Sequence, residues 1–379
     1  MNTSTIEPTR VIIVGGGVAA LEAMLALREF GGDRVTVDLF APRKDFKLKP
    51  LGVSEAFGHG EVLTYDLDSL ASNAGATFHM QSVASVDPEH RRVLLHDNSE
   101  LSYDYLVVAT GTKALWAVPG AKTFWGLHGQ EVISELLDSL DITRTSRVLL
   151  TMPDPAVWPL PIYELALYLA TEFREGPEPR PTIGIVTPES APLKAFGEAV
   201  SDQVEAMLEE SSVDLVSETT PTEFANGLLE TSGDSIPADV VLTLPRLIGR
   251  RIDGLPFDDD GFLPVNELGL VQGCDREYAA GDVISYPIKF GGAATEQADV
   301  VASAIAAKAW DAPEPEPFVP NLRATLLTAE GPVPLGPQGS GSDQPGTEPW
   351  TTAQKVRGKF LTPVLTAAAA QKKPGDENG

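Results

Sequence analysis

The sequence predicts an α/β protein of two doubly wound domains, the second inserted in the first, with a C-terminal segment after them. Three observations carry that prediction. An apolar run at residues 10–14 leads into Gly15-Gly16-Gly17, a helical stretch at 18–29 and a second apolar run at 35–41. That is a β-α-β unit of about 30 residues, the ordinary size. The pattern then returns. Arg10-Val11-Ile12-Ile13 recurs as Arg147-Val148-Leu149-Leu150, and Leu21-Glu22-Ala23 recurs loosely as Tyr163-Glu164-Leu165-Ala166. Thr36-Val37-Asp38-Leu39-Phe40-Ala41-Pro42 recurs as Thr182-Ile183-Gly184-Ile185-Val186-Thr187-Pro188. Finally, strand-like runs at 77–86, 92–96 and 105–109 separate the two units, and a strand at 240–244 and a helix at 293–310 follow the second.

Each element has a local reason. The run at 10–14 is continuously apolar, as in parallel strands buried on both faces. The first helix carries Leu21, Met24, Leu25 and Leu27, and Gly31-Gly32 ends it. Pro42 closes the second strand. The second unit starts at 147–152, with a helix near 161–173 and a strand at 182–186. Residues 258–261 form a turn. The Pro/Glu-rich stretch 312–320 reads as extended, 331–349 as a Gly/Pro/Ser-rich flexible loop, and 374–379 as a disordered tail. These boundaries give one discontinuous domain, 1–112 with 254–320, an inserted domain at 113–253, and a C-terminal segment at 321–379.

Composition narrows the function. The 379 residues carry 54 acidic and 28 basic side chains, a net charge of -26, which repels phosphate backbones and anionic lipid headgroups. Nucleic acid is therefore not an expected partner. The one cysteine, Cys274, allows no internal disulfide and no cysteine-based metal site, and the five histidines show no metal-ligand spacing. Residues 1–10 are short and polar, without a signal-peptide core, and no apolar run nears the roughly 20 residues that span a bilayer. The expected location is cytoplasmic, with peripheral membrane contact and a homodimer left open.

Gly15-x-Gly17-x-x-Ala20 lies between a strand and a helix. Glycines there permit a tight turn and let backbone N–H groups approach a pyrophosphate, which the helix N-terminus attracts. This marks the units as Rossmann-like dinucleotide-binding domains. The acidic residue expected about 20 residues beyond the glycines, to bind a ribose, is absent. Ala41 stands at its place, and Asp38 lies mid-strand. That weakens NAD at this first site more than it weakens FAD.

Tyr105-Leu106-Val107-Val108-Ala109-Thr110-Gly111 and Tyr278-Ala279-Ala280-Gly281-Asp282 follow in order. With the glycine turn they resemble the pyridine nucleotide-disulfide oxidoreductase-like flavoproteins over most of the chain. The resemblance implies FAD, with Ala109, Thr110 and Gly111 passing close to it and Asp282 on its ribitol. Lys289-Phe290-Gly291-Gly292 and Gln297 resemble the sulfide:quinone oxidoreductase and flavocytochrome c sulfide dehydrogenase branch. In that branch this loop and helix N-terminus lie by the pyrimidine edge of the flavin, so Lys289 is the candidate catalytic residue. Pro50, in Phe46-Lys47-Leu48-Lys49-Pro50-Leu51, is a candidate flavin contact, while Lys47 and Lys49 read as solvated. Gly16, Arg43 and Val83 complete the candidate cofactor contacts, with no metal.

The resemblance also has gaps. The second unit turns at Met152-Pro153-Asp154-Pro155-Ala156-Val157-Trp158-Pro159-Leu160-Pro161, with no glycine and four prolines that lack an N–H. Asp154 would repel a pyrophosphate. The sulfide-oxidising relatives work through cysteines near the flavin, and Trp158 stands where one of them lies. Cys274 precedes the Gly281-Asp282 strand, where no redox role is expected. His128 reads as a surface residue. The segment 350–370 reads as packing on the first domain, with a membrane-facing alternative. Three functions stay open. One is an FAD-dependent oxidoreductase from an unidentified small-molecule donor to a quinone or other acceptor, without a cysteine relay. The second is an NAD(P)H:acceptor oxidoreductase resembling type II NADH dehydrogenases, and the third an inactive flavin-binding module.

Overall fold

A computed structural model describes residues 7–126, 128–141, 143–153, 158–336 and 352–371. The elements that place the site are, in chain order, β1 (Thr9–Val14), α1 (Val18–Gly31), β2 (Val35–Phe40), β3 (Thr77–His79), β4 (Tyr105–Val108) and β5 (Lys122–Thr123). Next come β6 (Arg147–Thr151), α2 (Leu160–Glu175), β7 (Thr182–Val186), α3 (Glu198–Glu210), β8 (Val213–Val216) and β9 (Val240–Thr243). Then follow β10 (Glu277–Ala279), α4 (Gly291–Trp310), β11 (Ala324–Thr328), β12 (Gly331–Leu335) and α5 (Leu361–Gln371).

Two five-stranded parallel sheets result, ordered β10-β4-β1-β2-β3 and β5-β9-β6-β7-β8. The first sheet takes its outer strand, β10, from beyond the second. That is an α/β architecture of two Rossmann-like domains with the second inserted. The sequence echo holds in register, because Arg10 lies opposite Thr36 and Arg147 opposite Thr182. A repeated hydrogen bond marks the duplication further. The Arg10 N–H donates to Asp104 at 2.8 Å, and the Arg147 N–H donates to Asp239 at 2.7 Å. Each aspartate stands just before the fourth strand of its unit and fixes that strand beside the first.

Alternation decides the layers, since successive strand residues face opposite ways. Val11 and Ile13 point to α1 and α4, which cross through small residues, among them Ala19, Ala23, Ala298 and Ala302. Ile12, Val14 and Phe40 point the other way, onto Val83, Val86, Val93 and Leu95. Those belong to a three-stranded antiparallel sheet of Val83–Asp87, Arg92–Leu95 and Glu100–Ser102. The connections between the two large sheets pair as a ribbon, Thr112–Leu115 with Arg246–Gly249.

Two expectations are corrected. Residues 77–86 are not one strand, because the chain leaves the parallel sheet after His79 and joins the antiparallel one at Val83. Nor is all of 331–349 a loop, because Gly331–Leu335 pairs with Ala324–Thr328 as a hairpin. Pro332 and Pro334 are tolerated there on an edge strand, where a missing N–H breaks no sheet. Residues 337–349 and 374–379 lie outside the described residues. The C-terminal segment turns Val356, Leu361 and Leu365 fully inward, and α5 lies against α1. Among the described residues no helix is long and apolar enough to cross a membrane.

Candidate functional site

The turn after β1 is built by steric exclusion. Gly15 has φ +139°, and a Cβ there would stand 2.1 Å from the Ala109 carbonyl oxygen. Only glycine fits, and so the first two sequence motifs touch backbone to backbone. Gly16 is equally crowded, since its Cβ would meet Leu67 Cδ1 at 2.8 Å and Ala41 Cβ at 3.0 Å. Leu67 and buried Ala41 thus occupy the corner where a ribose carboxylate was expected. Asp38 does not substitute for it. Its carboxylate is held by Arg10 at 2.9 Å and His79 at 2.7 Å.

Gly17 differs from its neighbours, for a Cβ there would meet nothing within 4 Å. It caps α1 without a side-chain hydrogen bond, and the first turn of α1 holds no acid. The helix therefore presents free N–H groups and its positive end to open space. Ala20 is fully buried against the sheet. Gly111 likewise has φ +67° and open space around it, and beside it the buried Thr110 Oγ1 has no hydrogen-bond partner. An orphaned buried hydroxyl is costly unless something pairs with it.

The third motif closes onto the first. Gly281, at φ +79°, would bring a Cβ to 2.8 Å from Ala19 Cβ, so Gly281 and α1 are in contact. The Gly281 N–H donates to the buried Gln297 Oε1 at 2.8 Å, which ties the motif to α4. Asp282 is half-buried, and that burial raises its carboxyl above the usual range while Lys289 and Lys49 pull it down.

Lys289 is buried at 7% exposure, not solvated. Its Nζ donates to the Ile284 carbonyl at 2.5 Å and sits 4.0 Å from the centre of the Phe262 ring. Burial pushes its ammonium down to about 8, against the opposing pull of Asp282 and Asp258. Gly291 and Gly292 open α4, whose N-terminus has no side-chain cap and no acid in the first turn. Val356 covers Gly291, 2.9 Å from where a Cβ would be, and Trp158 stacks on Phe290 at 4.6 Å and 12°.

Pro50 lies in the short turn Lys49–Leu51, Arg43 is exposed, and the Val83 side chain is buried in the second core cluster. Lys49 is exposed, as read from the sequence, and its Nζ lies 5.7 Å from the centre of the Trp125 ring. Partial desolvation and repulsion from Arg250 and Arg43 lower its ammonium, while Asp282 raises it. Lys289 and Lys49 thus act on Asp282, and Arg43 and Arg250 act on Lys49, in a chain of net charge -26. Sequence reasoning missed Lys49 and Arg250. Arg250 comes from the far connection, 138 residues beyond the Thr112 carbonyl it binds, and no local pattern marks it. His128 is exposed, as expected, and the described residues hold no metal-binding cluster.

The sequence of the second unit has no glycine in the segment after β6. Residues 154–157 lie outside the described residues. On their far side Trp158 and Pro159 lead into α2, where Leu160 and Pro161 start the helix. Thr187 stands where Ala41 stands in the first unit, and both donate their N–H to the third strand of their sheet. Nearby, Tyr163 donates to Glu189 at 2.6 Å, and burial pushes that carboxyl up to about 7.

The sequence profile of the family described as pyridine nucleotide-disulphide oxidoreductase matches residues 9–146 and 165–307. The chain belongs to that family. Among this oxidoreductase's relatives, the sulfide-quinone reductase of Aquifex aeolicus is 24% identical over 70% of this chain and 64% of its own length. The demethylphylloquinone reductase NdbB of Synechocystis is 27% identical over 72% and 71% respectively. The ferroptosis suppressor protein 1 of Xenopus tropicalis is 33% identical, over only 29% of this chain and 28% of its own. The match thus spans under two thirds of the first of these relatives. The crystal structure of the Aquifex aeolicus sulfide:quinone oxidoreductase superposes with a TM-score of 0.71 at 21% identity, covering 84% of this chain and 80% of that one. Putidaredoxin reductase in its covalent complex with putidaredoxin gives 0.61 at 20%, covering 85% and 79%. At such identities the likeness is one of fold, and it supports the architecture described above.

Proposed function

We propose that this chain holds FAD non-covalently in the cleft between α1, β4 and the Gly281-Asp282 turn, and passes electrons from a small-molecule reductant to a quinone or similar acceptor. The observation that carries the reading is a cradle with three unfilled features. These are the open N-terminus of α1 at Gly17, the open Gly111, and the partnerless Thr110 hydroxyl. A dinucleotide fits each of them. Gly15 and Gly16 shape the turn, Gly17 N–H groups would hold the pyrophosphate, and Asp282 would accept from the ribitol. The FAD-binding part comprises 1–112 and 254–320, with Arg43, Pro50 and Val83 as further contacts, and 113–253 is the inserted part.

Bound FAD supplies a two-electron redox centre. The protein's part is electrostatic. The uncapped N-terminus of α4, at Gly291 and Gly292, directs positive charge to the cleft, and Lys289 adds to it through Asp282. A quinone acceptor is supported by the names of the relatives, a sulfide-quinone reductase and a demethylphylloquinone reductase. A cysteine relay is not part of this mechanism. Cys274 is the one cysteine, and burial beside Glu277 pushes its thiol up to about 11, so almost no thiolate exists at neutral pH. The proline turn of the second unit offers few donors to a second dinucleotide, which disfavours NADH as the donor.

The test is the anaerobic visible spectrum of the purified protein before and after NADH, followed by addition of a water-soluble quinone to chemically reduced protein. Flavin bands that persist with NADH and return with quinone are the expected result. A colourless protein that takes up no FAD would overturn the cofactor, and fast bleaching by NADH would make NADH the donor.

A further inference from the structure

We propose that Arg43, Lys49 and Arg250, drawn from three separate parts of the chain, are the counter-charges that hold the diphosphate of FAD at the cleft. This role rests on the FAD reading above and extends it to Lys49 and Arg250, two residues that no motif marks.

The chain carries 54 acidic and 28 basic side chains, so a surface cation ordinarily finds a carboxylate. Arg92 meets Glu100 in this way, and Arg246 meets Asp260. Among the described residues Arg43, Lys49 and Arg250 form no ion pair. Lys49 has only the Trp125 ring, and Arg250 spends only its Nε, which donates to the Thr112 carbonyl at 3.0 Å. The three are also close enough to repel one another. Partial desolvation and then Arg43 lower the Arg250 guanidinium, and both arginines act against the charge on Lys49. Like charges gathered without a counter-ion cost free energy, and an anion set among them relieves that cost.

The backbone sets these cations along the cleft. Arg43 stands two residues past Ala41, which with Leu67 fills the corner where a ribose carboxylate was expected. Lys49 opens the turn Lys49–Leu51 and acts on Asp282, the proposed ribitol acceptor. Arg250 follows Gly249, which pairs with Thr112, and its bond to the Thr112 carbonyl holds it beside the residue that follows open Gly111. The cations thus extend from the ribose corner to the ribitol acceptor. In FAD the group that joins ribose to ribitol is the diphosphate, and it carries the negative charge of the molecule. In a chain of net charge -26 a dianion is repelled at long range, so its binding needs local positive charge. The open N-terminus of α1 at Gly17 supplies part of it. The Arg250 guanidinium supplies more, because both its terminal nitrogens remain free to donate to phosphate oxygens while the Nε bond fixes its direction.

The test is flavin binding to the deflavinated full-length protein, followed by flavin fluorescence with FAD and with riboflavin, which shares the ring and ribitol but has no phosphate. Arg250→Met should weaken FAD binding by about tenfold or more and leave riboflavin binding unchanged. Lys49→Met should act in the same sense, and added salt should weaken FAD binding alone. Equal loss of both flavins in Arg250→Met, or no loss of FAD in either variant, overturns the proposal. Inorganic pyrophosphate, titrated by calorimetry into the flavin-free protein, keeps the two readings apart. A wild type that takes up no flavin but binds pyrophosphate through Arg250 keeps the anion site and loses the cofactor. Flavin uptake indifferent to Arg250 and Lys49 keeps the cofactor and removes the role proposed for them.

Discussion

At the end of β1 the chain turns on Gly15-Gly16-Gly17, and the sequence that follows β6 instead runs through Pro153, Pro155 and Trp158-Pro159. The strands on either side keep the same register, and the aspartate before the fourth strand keeps the same bond. The frame of the two units is thus the same, while the residues at the mouth of the sheet have diverged. In the first unit they leave N–H groups open to a ligand. In the second, Trp158 packs its ring on Phe196 and on Phe290 and so joins the unit to the start of α4. A duplicated scaffold retains what packing demands, because a core side chain or a ladder aspartate is costly to change.

The largest expected effect lies in the first turn. Gly15→Ala would drive a methyl into the Ala109 carbonyl and should leave the protein without flavin, read as absorbance near the flavin bands per mole of protein. Pro159→Ala, at the second turn, should leave flavin content unchanged. Equal loss from both would erase the distinction between the units.

The matched glutamates give the next contrast. Lys355→Met strands the buried Glu164 charge and should destabilise the protein by about 3–5 kcal/mol in urea unfolding. Glu22→Gln keeps one acceptor oxygen and should cost only about 1–3 kcal/mol. A reversed order would mean that the first domain, not the second, holds the C-terminal segment more firmly.

Lys289 provides a pH test confined to the first domain. Its folded-state value, about 8, lies below its ordinary 10.5, so the unfolded chain binds more protons between the two. Stability should accordingly rise from about pH 8 towards 10.5, by no more than about 3 kcal/mol. Lys289→Met should remove that rise in thermal unfolding followed against pH. The smallest effect is on the flavin. Losing this charge should lower its midpoint potential by on the order of 30 mV, about 1.4 kcal/mol for two electrons, in an anaerobic redox titration. An unchanged potential would restrict Lys289 to holding the Ile284 loop.

Local sequence announced the parts of the site that depend on backbone shape. Gly15, Gly111 and Gly281 all adopt positive φ, and each is followed or preceded by the strand or helix that its motif implied. Gln297 was visible for the same reason, as part of the segment that opens α4. Lys49 and Arg250 were not legible, because an exposed cation has no pattern until its neighbours are known. The absent ribose carboxylate could be read at Ala41, but its replacement by Leu67 could not. Glu22 and Glu164 were visible as an echo without a meaning.

The sequence alone determined the duplicated β-α-β frame and its glycine turn, since apolar periodicity and steric permission are properties of neighbouring residues. Tertiary structure decided what those residues meet. It buried Lys289, set Lys49 beside Asp282 with Arg43 and Arg250 near it, and drew the C-terminal segment onto two glutamates more than 150 residues upstream. Burial and charge pairing act through space, and only the folded chain brings those groups within a few ångströms of one another.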